Sequence, residues 1–355
     1  MTKRPLVFMS AAVVLVLLFA WIARHSASTS SAAPVASAQP REGDRSKTID
    51  LAETRREASS KRHGAKVATV FTAVWGSGHG ALGRDRPDEA SPSGPMSFTV
   101  DERGRTWVLD QINGRVVRYS GDGSEEQALV IAHETSQDIA VAADGSVAIL
   151  DRFRSEQVAL HDQSGAFVGS LPLAGEGIET AGHVTGIFVD GTDVYAESEH
   201  GPLVLLGSTS GEPASPRKEI PGRPSRDGTF YVKAGIVSAG DGRAYVAVSD
   251  RPSEEHRFTR QLTMGSPIQA LVLLETDDSG TIYLGAELVV DEPSTEVLIV
   301  CMDPTSGEVE GAVTVPANDM PEESFRDFAV EPDGGVIYAL RTETGVEYRR
   351  ADCSK

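Results

Sequence analysis

Short runs of apolar residues, broken at regular intervals by glycine-centred polar turns, recur along most of the chain. The first run is Phe98 to Asp110, "FTVDERGRTWVLD", in which apolar or β-branched residues precede an Asp-x-x-Gly turn and an apolar strand follows it. Asp-Gly and related pairs supply the positive φ that tight hairpins require. The pattern therefore predicts two antiparallel strands that are joined by a turn at Gly104.

Five more units of this kind follow the first one. The turn glycines are separated by 41, 46, 51, 38 and 54 residues and lie at Gly104, Gly145, Gly191, Gly242, Gly280 and Gly334. Most units continue into a third strand and a second turn, as at Asp162 to Gly165, so that one unit comprises about four strands in about 40–55 residues. A single sheet of this size cannot bury both of its faces, and packing such sheets around an axis removes most free edges.

The predicted fold class is therefore all-β, a six-bladed β-propeller of four-stranded antiparallel blades over residues 67–355. The last unit shows a third strand at Gly345 to Arg350, and the sequence then ends. The strand predicted from Val67 to Trp75 has no other assignment, and we expect it to supply the missing outer strand and close the ring. The alternatives are a two-sheet sandwich and an open array of blades.

An uncharged run of 18 residues, Leu6 to Ala23, follows Lys3 and Arg4. Its length lies at the lower edge of the range for a spanning helix and above that of most signal-peptide cores. The best cleavage pattern, Ala36-Ser37-Ala38, is far from the run, so residues 1–24 are predicted to form an uncleaved anchor, with a cleaved signal peptide as the alternative. The basic residues favour a cytoplasmic N-terminus in either case, so the propeller is expected outside the cytoplasm, in the periplasm or the extracellular space. It is membrane-anchored if the segment is retained and secreted if the segment is cleaved.

Residues 25–66 are rich in Ser, Ala, Pro and charge, and they predict a flexible linker with one frayed helix near Leu51 to Ser60. The first 66 residues carry a net charge of +6, and the remainder carries −25. Such an acidic body repels phosphates and argues against a nucleic-acid partner. The charge is explained either by solubility alone or by a surface that attracts cations.

The sequence around the first unit resembles the NHL-repeat propellers. The residues that carry the resemblance are Gly94-Pro95, Val100-Asp101, Gly104, Trp107 to Asp110 and Asn113 to Val116, preceded by the glycine-rich run Gly76 to Gly83. The second unit shows part of the pattern at Ala143 to Gly145, Leu150-Asp151 and Gln157-Val158, and the later units match in period only. The resemblance implies a six-bladed fold that is generally used for binding, and it implies no single activity.

Few motifs point to catalysis. The "GSGHGALG" run at Gly76 to Gly83 lacks the lysine and the helix of a phosphate loop, and no Gly-x-Ser-x-Gly elbow occurs. Lactonase-type propellers hold a divalent metal ion with Glu, Asn and Asp side chains in the axial channel, and this sequence has only two asparagines. The histidines lack metal-ligand spacing, although His79, His133 and His183 precede predicted inner strands and are candidate acid–base groups for an axial active site. No catalytic, metal or cofactor site is therefore predicted, and an exported propeller lyase or hydrolase is kept as the alternative.

The two cysteines, Cys301 and Cys353, are able to pair in an oxidising compartment. The repeat alignment, however, puts both near the end of the third strand of adjacent blades. Those positions are expected to lie beyond the roughly 7 Å Cα separation that a disulfide allows, unless the C-terminal tail moves.

The residues that begin the predicted inner strands are the candidate binding residues, because inner strands meet at the axial mouth. They are Ser97, Gln137, Asp138, Thr185, Lys233, Arg326 and Asp327. Their mixed charge suits a small polar ligand or a peptide, and the alternative is an internal network of salt bridges without a ligand. The favoured function is a membrane-tethered module that binds an unknown protein or small ligand without catalysis and without a cofactor.

Overall fold

A computed structural model describes residues 47–60, 67–131, 135–198, 201–291 and 294–353. Its elements in chain order are β1 (Lys47–Asp50), α1 (Ala52–Ser60), β2 (Ala68–Val74), β3 (Ser97–Val100), β4 (Thr106–Asp110), β5 (Arg115–Tyr119), β6 (Glu125–Val130), β7 (Asp138–Val141), β8 (Val147–Asp151), β9 (Gln157–His161), β10 (Phe167–Pro172), β11 (Val184–Asp190), β12 (Asp193–Ser198), β13 (Leu203–Ser208), β14 (Glu219–Ile220), β15 (Arg223–Pro224), β16 (Phe230–Ser238), β17 (Arg243–Asp250), β18 (His256–Thr263), β19 (Ile268–Thr276), β20 (Ile282–Asp291), β21 (Ser294–Met302), β22 (Val309–Pro316), β23 (Phe328–Val330), β24 (Val336–Arg341) and β25 (Gly345–Ala351).

These strands form six sheets, which are the blades of a propeller. Blades one, two, three and five are four consecutive antiparallel strands, β3–β6, β7–β10, β11–β14 and β19–β22. Blade four contains β15–β18 with β1 added, and blade six contains β23–β25 with β2 added. The prediction of an all-β, six-bladed propeller with mainly four-stranded antiparallel blades is confirmed.

Each blade is buried on both faces, as the run of five buried residues in β4 illustrates. Successive side chains on a strand point to opposite faces. Trp107 and Leu109 accordingly pack in the apolar cluster against blade two, whereas Val108 packs in the cluster against blade six. Within the described residues, one such cluster lies at every interface between neighbouring blades, and the smallest one lies between blades three and four.

The ring closes between the two ends of the propeller sequence. Strand β2 pairs antiparallel with β25, from Ala68 opposite Arg350 to Val74 opposite Gly345. Phe71 of β2 stacks on Tyr348 with ring centroids 4.6 Å apart and contacts Tyr119 of blade one at 4.9 Å. The predicted closing strand is therefore confirmed, and its central side chain joins blade six to blade one.

Five of the six predicted glycine turns connect the first and second strands of a blade, and each of these glycines has a positive φ. The exception is Gly242, which lies between β16 and β17, the second and third strands of blade four. The first turn of that blade is at Ser225 to Gly228, where Gly228 has φ +74° and donates to the Ser225 carbonyl at 2.9 Å. The assignment of Gly242 was wrong because β15 is only two residues long and gives no apolar pattern.

Residues 47–60 correct part of the predicted linker. Strand β1 pairs in parallel with β18 and extends blade four to five strands, and α1 packs against β22 of blade five. Leu51, between β1 and α1, is fully buried among the residues of blades four and five, and Arg55 pairs with Glu296 at 2.9 Å. The linker prediction failed here because two apolar side chains, Leu51 and the partly buried Ile49, hold an otherwise polar segment against the core. The short helix expected in this region is present.

The structure also corrects the expectation for the two cysteines. Cys301 on β21 and Cys353, two residues beyond β25, form a disulfide with a Cα separation of 6.2 Å. Both belong to the apolar interface between blades five and six. The expected separation was too large because the chain leaves β25 at Ala351 and turns toward the neighbouring blade, so the pair is not held at the spacing of two third strands.

The predicted anchor, Leu6 to Ala23, lies outside the described residues. Among the residues that the structure does describe, no helix has the length and apolar character needed to cross a membrane.

Candidate functional site

A cavity of about 910 Å³ lies on the propeller axis, at the end where the inner strands begin. Its walls come from blades three to six and from the connection between blades five and six, residues 317–327. We call it the axial funnel. Its volume falls at the upper end of the range for small-molecule sites, so it is large enough for a ligand.

The short first strand of blade four is what widens the funnel. In the other blades an inner strand of three to nine residues faces the axis, but β15 has only two and pairs only with Tyr231 and Val232 of β16. The next residues of the second strand, Lys233 to Ile236, therefore line the funnel directly.

The floor of the funnel includes the ring of Phe188, and two guanidinium groups lie close to this ring. Arg223 is 4.4 Å and Arg326 is 5.3 Å from the ring centroid, positions that suit cation–π attraction. A second cavity, of about 240 Å³, opens from the other end of the axis and shares these three residues as a wall. These three residues thus lie between the two cavities.

Carboxylates hold both guanidinium groups in place. Arg223 makes two parallel bonds to Glu197, at 3.0 and 3.1 Å, and donates to the Leu274 carbonyl at 2.7 Å. Arg326 pairs with the buried Asp138 at 2.7 Å. Burial by itself would lower the pKa of the Arg326 guanidinium, but the charges of Asp138, Glu275 and Glu197 together outweigh burial and raise that pKa above its usual value. The floor is therefore a fixed, charged layer.

The same side chains satisfy the free backbone edges of the inner strands. Asp138 accepts a bond from the Ile187 N–H at 3.0 Å, and Glu275 accepts one from the Val330 N–H at 2.8 Å. The guanidinium group of Arg326 donates to the Ile187 carbonyl at 3.2 Å. Unpaired backbone groups are costly when buried, so these charged residues stabilise the channel.

A second ionic group lies at the funnel wall beside blade six. Arg341 and Asp327 form two bonds of 2.8 Å, and Asp327 also accepts bonds from Asn318 at 3.0 Å and Ser324 at 2.7 Å. Burial would lower the pKa of Arg341, but Asp327 raises it. These bonds fix the connection between blades five and six over the wall of the funnel.

Four of the seven predicted site residues line the funnel, namely Thr185, Lys233, Arg326 and Asp327. Lys233 does so from β16, the second strand of its blade, and not from the inner strand as predicted. The side chain of Lys233 is exposed and makes no ion pair with any described residue. Arg326 and Asp327 are engaged in the salt bridges given above.

The other three predicted residues are buried beside the channel and do not line the funnel. Ser97 donates to Asp138 at 2.6 Å, and Gln137 accepts a bond from the Arg152 N–H at 2.9 Å. Asp138 has no exposed surface. The contacts of these three residues are those of the alternative that the sequence left open, an internal network without a ligand.

The histidines proposed for an axial active site do not meet there. His79 is 75% exposed and pairs at 2.8 Å with Glu125 on β6, the outer strand of blade one. His183 precedes β11 and is exposed, and it does not line the funnel. His133 lies outside the described residues. Among the residues that are described, no group of three or more His, Cys, Asp or Glu side chains is placed to bind a metal ion.

Two buried polar atoms of funnel-lining residues have no hydrogen-bond partner among the described residues. They are Oε2 of Glu322, whose other oxygen binds Arg86 at 2.6 Å, and Nε of Arg341. Both residues line the funnel and are 4% exposed. Buried polar groups are usually hydrogen-bonded, so a bound water is the expected partner for each of these two atoms.

An aromatic residue stands at the funnel rim. The guanidinium group of Arg152 lies 5.1 Å from the ring centroid of Phe325, which lines the funnel, and 4.8 Å from that of Phe153. Phe153 is 63% exposed. An exposed aromatic side chain beside a concave site is a feature of binding surfaces.

The sequence interpretation missed several residues that shape the site. They are Phe188, Glu197, Arg223, Glu275, Glu322 and Arg341. The Asp227-Gly228 turn was a usable signal for Arg223, because it marks the end of an inner strand at the preceding residues. Glu197 and Arg341 come from second strands and Glu322 from the connection between blades, for which the repeat pattern gives no signal. Phe188 and Glu275 lie within first strands, after the first residues that the prediction selected.

No family model matches the chain, and no curated protein matches it. Solved structures with a similar shape include hydrazine synthase from Kuenenia stuttgartiensis, with 15% identity, 72% of this chain and 78% of that chain covered, and a TM-score of 0.48. The WD40 repeats of RRP9 share 11% identity, cover 81% of this chain and 100% of their own, and have a TM-score of 0.45. Virginiamycin B lyase from Staphylococcus aureus shares 9% identity, with 73% and 95% coverage and a TM-score of 0.40.

Proposed function

We propose that this protein is an exported propeller that binds a ligand or a protein segment in the axial funnel without catalysing a reaction. The observation that carries the proposal is the two-residue inner strand of blade four, which leaves a cavity of about 910 Å³. A propeller that needed only a stable ring would gain from a full inner strand at this place. The stability lost with the missing strand residues is explained if the cavity serves to bind a ligand.

The funnel favours a polar ligand with some apolar surface. Internal salt bridges hold the floor and one wall of the funnel. Few charged side chains there therefore remain free to interact with a substrate. Lys233 and Gln269 are exposed in the funnel, and Leu271 and Val272 supply partly buried apolar surface. This mixture of an apolar lining and a few polar groups is typical of binding sites.

The test is a binding screen with the purified full chain. The probes are a display library of random eight-residue peptides and a panel of lactones and esters, each with and without Ca²⁺ or Zn²⁺. Gln269→Trp places a large ring in the funnel and should abolish binding of any selected probe. Gln163→Trp, at an exposed turn of blade two, is the matched control and should bind as the parent does.

Two results contradict the proposal. Turnover of a lactone or ester that is lost in the variant His183→Ala indicates an enzyme, the alternative function. Unchanged binding in Gln269→Trp means that the ligand binds elsewhere on the propeller.

We also propose that the propeller is held at a membrane and faces the outside of the cytoplasm. Support comes from the apolar run Leu6 to Ala23 after Lys3 and Arg4, and from the disulfide Cys301–Cys353, since disulfides persist mainly in oxidising compartments. Cell fractionation tests the anchor: the full chain is expected with membranes. Recovery of soluble exported protein that starts near Ser28 or Gln39 would mean that the segment is cleaved.

The blades are, we propose, divergent relatives of NHL repeats. The support is the arrangement of the motif residues in blade one. Asp110 is fully buried and accepts bonds from Asn113 at 2.8 Å, Arg115 at 2.9 Å and the Gly83 N–H at 2.9 Å, so the motif ties the third strand to the glycine-rich loop. In a set of homologous sequences the side chains of Asp110, Asn113 and Arg115 should occur together. Independent variation of these positions would contradict the relationship.

A further inference from the structure

We propose that the funnel takes its ligand as an extended polypeptide segment that adds to the free edge of β16 as a new strand, with a carboxylate of the segment beside Lys233. This inference rests on the proposed binding function and specifies the class of ligand. It concerns the four residues Lys233 to Ile236, which we call the open edge.

The open edge exists because the chain before β15 cannot continue the ladder. The register pairs Arg223 with Val232 and Pro224 with Tyr231, so the residues that would face Ala234 and Ile236 are Pro221 and Glu219. Proline has no N–H to donate. Glu219 is already paired with Val204 in blade three. The sequence thus prevents the chain from filling its own edge.

The hydrogen-bonding groups of the open edge can be assigned from the turn. The Ser225 N–H donates to the Phe230 carbonyl at 2.9 Å, and on the other side the Arg251 N–H donates to the Thr229 carbonyl at 2.9 Å. Bonding groups alternate from side to side along a strand. The backbone N–H and C=O groups of the even-numbered residues of β16 therefore face the axis. Those of Ala234 and Ile236 point into the funnel.

These groups differ from the other strand edges along the axis. At Ile187, Leu274 and Val330 a carboxylate or a guanidinium group satisfies the backbone. No described residue gives such a bond to the N–H or C=O of Ala234 or Ile236. A strand edge with free donors and acceptors is the structural requirement for strand addition.

The side chains around the open edge suit an extended segment. Gly235 has no side chain, and Tyr245 occupies the space where its Cβ would lie, 2.6 Å from the ring, so one face of the strand is covered and the edge is left clear. Glycine within a strand often marks the close approach of another backbone. Ile236 is 43% exposed and offers an apolar contact, and Lys233, which forms an ion pair with no described residue, offers a partner for a carboxylate.

The probe is the display library of random eight-residue peptides, screened against the full chain. We expect selected peptides to alternate apolar and polar residues and to carry an Asp, a Glu or a free C-terminal carboxylate at a fixed position. Chemical synthesis of one such peptide in two forms, with N-methyl groups on one or the other alternate set of amides, tests the backbone bonds. One form should lose about tenfold or more in affinity, and the other should lose little, because only one set of amides faces β16.

Substitutions test the same contacts from the protein side. Ala234→Pro removes a free N–H that β17 does not use, whereas Ala234→Ser keeps it, and proline is tolerated at strand edges. The proline variant should bind about tenfold more weakly than the serine variant, with equal thermal stability confirming that both fold. Lys233→Gln should weaken acidic peptides, whereas Lys218→Gln, which is outside the funnel, should not.

The outcomes separate this inference from the proposed function. Peptides that lose affinity in Gln269→Trp but bind equally to the proline and serine variants would overturn strand addition and leave funnel binding in place. Equal affinity of the two N-methylated forms would have the same meaning. A screen that yields only lactones or esters as funnel ligands, and no peptide, would also overturn it.

Discussion

Ring closure depends on Phe71, and its removal should destabilise the whole propeller. The side chain is 7% exposed, stacks on Tyr348 of blade six at 4.6 Å, contacts Tyr119 of blade one at 4.9 Å and lies against Gly123, where a Cβ would be 2.2 Å from that of Phe71. Phe→Ala in a well-packed core costs about 3–5 kcal/mol. Two aromatic contacts are lost with it, so the upper part of that range is expected for Phe71→Ala.

The assay is denaturation in urea, followed by far-UV circular dichroism and by tryptophan fluorescence. Val74→Ala is the matched control, because Val74 lies on the same strand and is 58% exposed, and a surface change of this kind stays within about 0.5 kcal/mol. The free energy of unfolding should fall by about 4–5 kcal/mol for Phe71→Ala. If the two variants are equally stable, β2 does not close the ring and the reasoning is wrong.

Three further outcomes are expected. Cys353→Ser should lower the free energy of unfolding by about 2–4 kcal/mol, and a reducing agent should lower that of the parent but not of the variant; an equal effect on both would contradict the bridge. Leu51→Ala should cost about 2–5 kcal/mol in the same assay, although its segment was expected to be a linker, and no loss would mean that β1 and α1 do not pack in solution. Burial would raise the pKa of Asp101, but bonds from Trp107 and Arg105 lower it, so its carboxylate stabilises the fold above the unfolded-state value of 3.8. The advantage of the parent over Asp101→Asn in urea titrations should thus be present at neutral pH and vanish as pH falls below that value; a constant difference would refute it.

Much of the fold could be predicted because its signal is local. A turn such as Asp101 to Gly104 needs a positive φ, and the flanking strands need apolar residues on both faces, so both requirements appear in neighbouring residues of the sequence. Pairing between distant segments was predictable only where a strand was left without a partner, as for β2 and β25. Strand β1 gave no such signal, because this short, mainly polar strand is held by the backbone of β18 and by only two apolar side chains, Ile49 and the adjacent Leu51.

The site was less predictable because it depends on an irregularity in the repeat. The period of the blades suggests a regular inner strand near Gly242, whereas the inner strand ends at Pro224 and its turn is at Gly228. Whether a charged residue such as Arg326 is free or paired depends on side chains from other blades, here Asp138, which lies 188 residues away in sequence. No pattern within one blade contains that information.

Amide hydrogen–deuterium exchange of the full chain, with and without a peptide selected from the library, tests the central claim most directly. If the ligand occupies the axial funnel and adds to the open edge, amides of Lys233 to Ile236 and of Gln269 to Leu274 exchange more slowly in the complex. The outer strands, such as β6 and β10, are expected to exchange at unchanged rates. Protection confined to outer strands or to the second, smaller cavity would contradict the account.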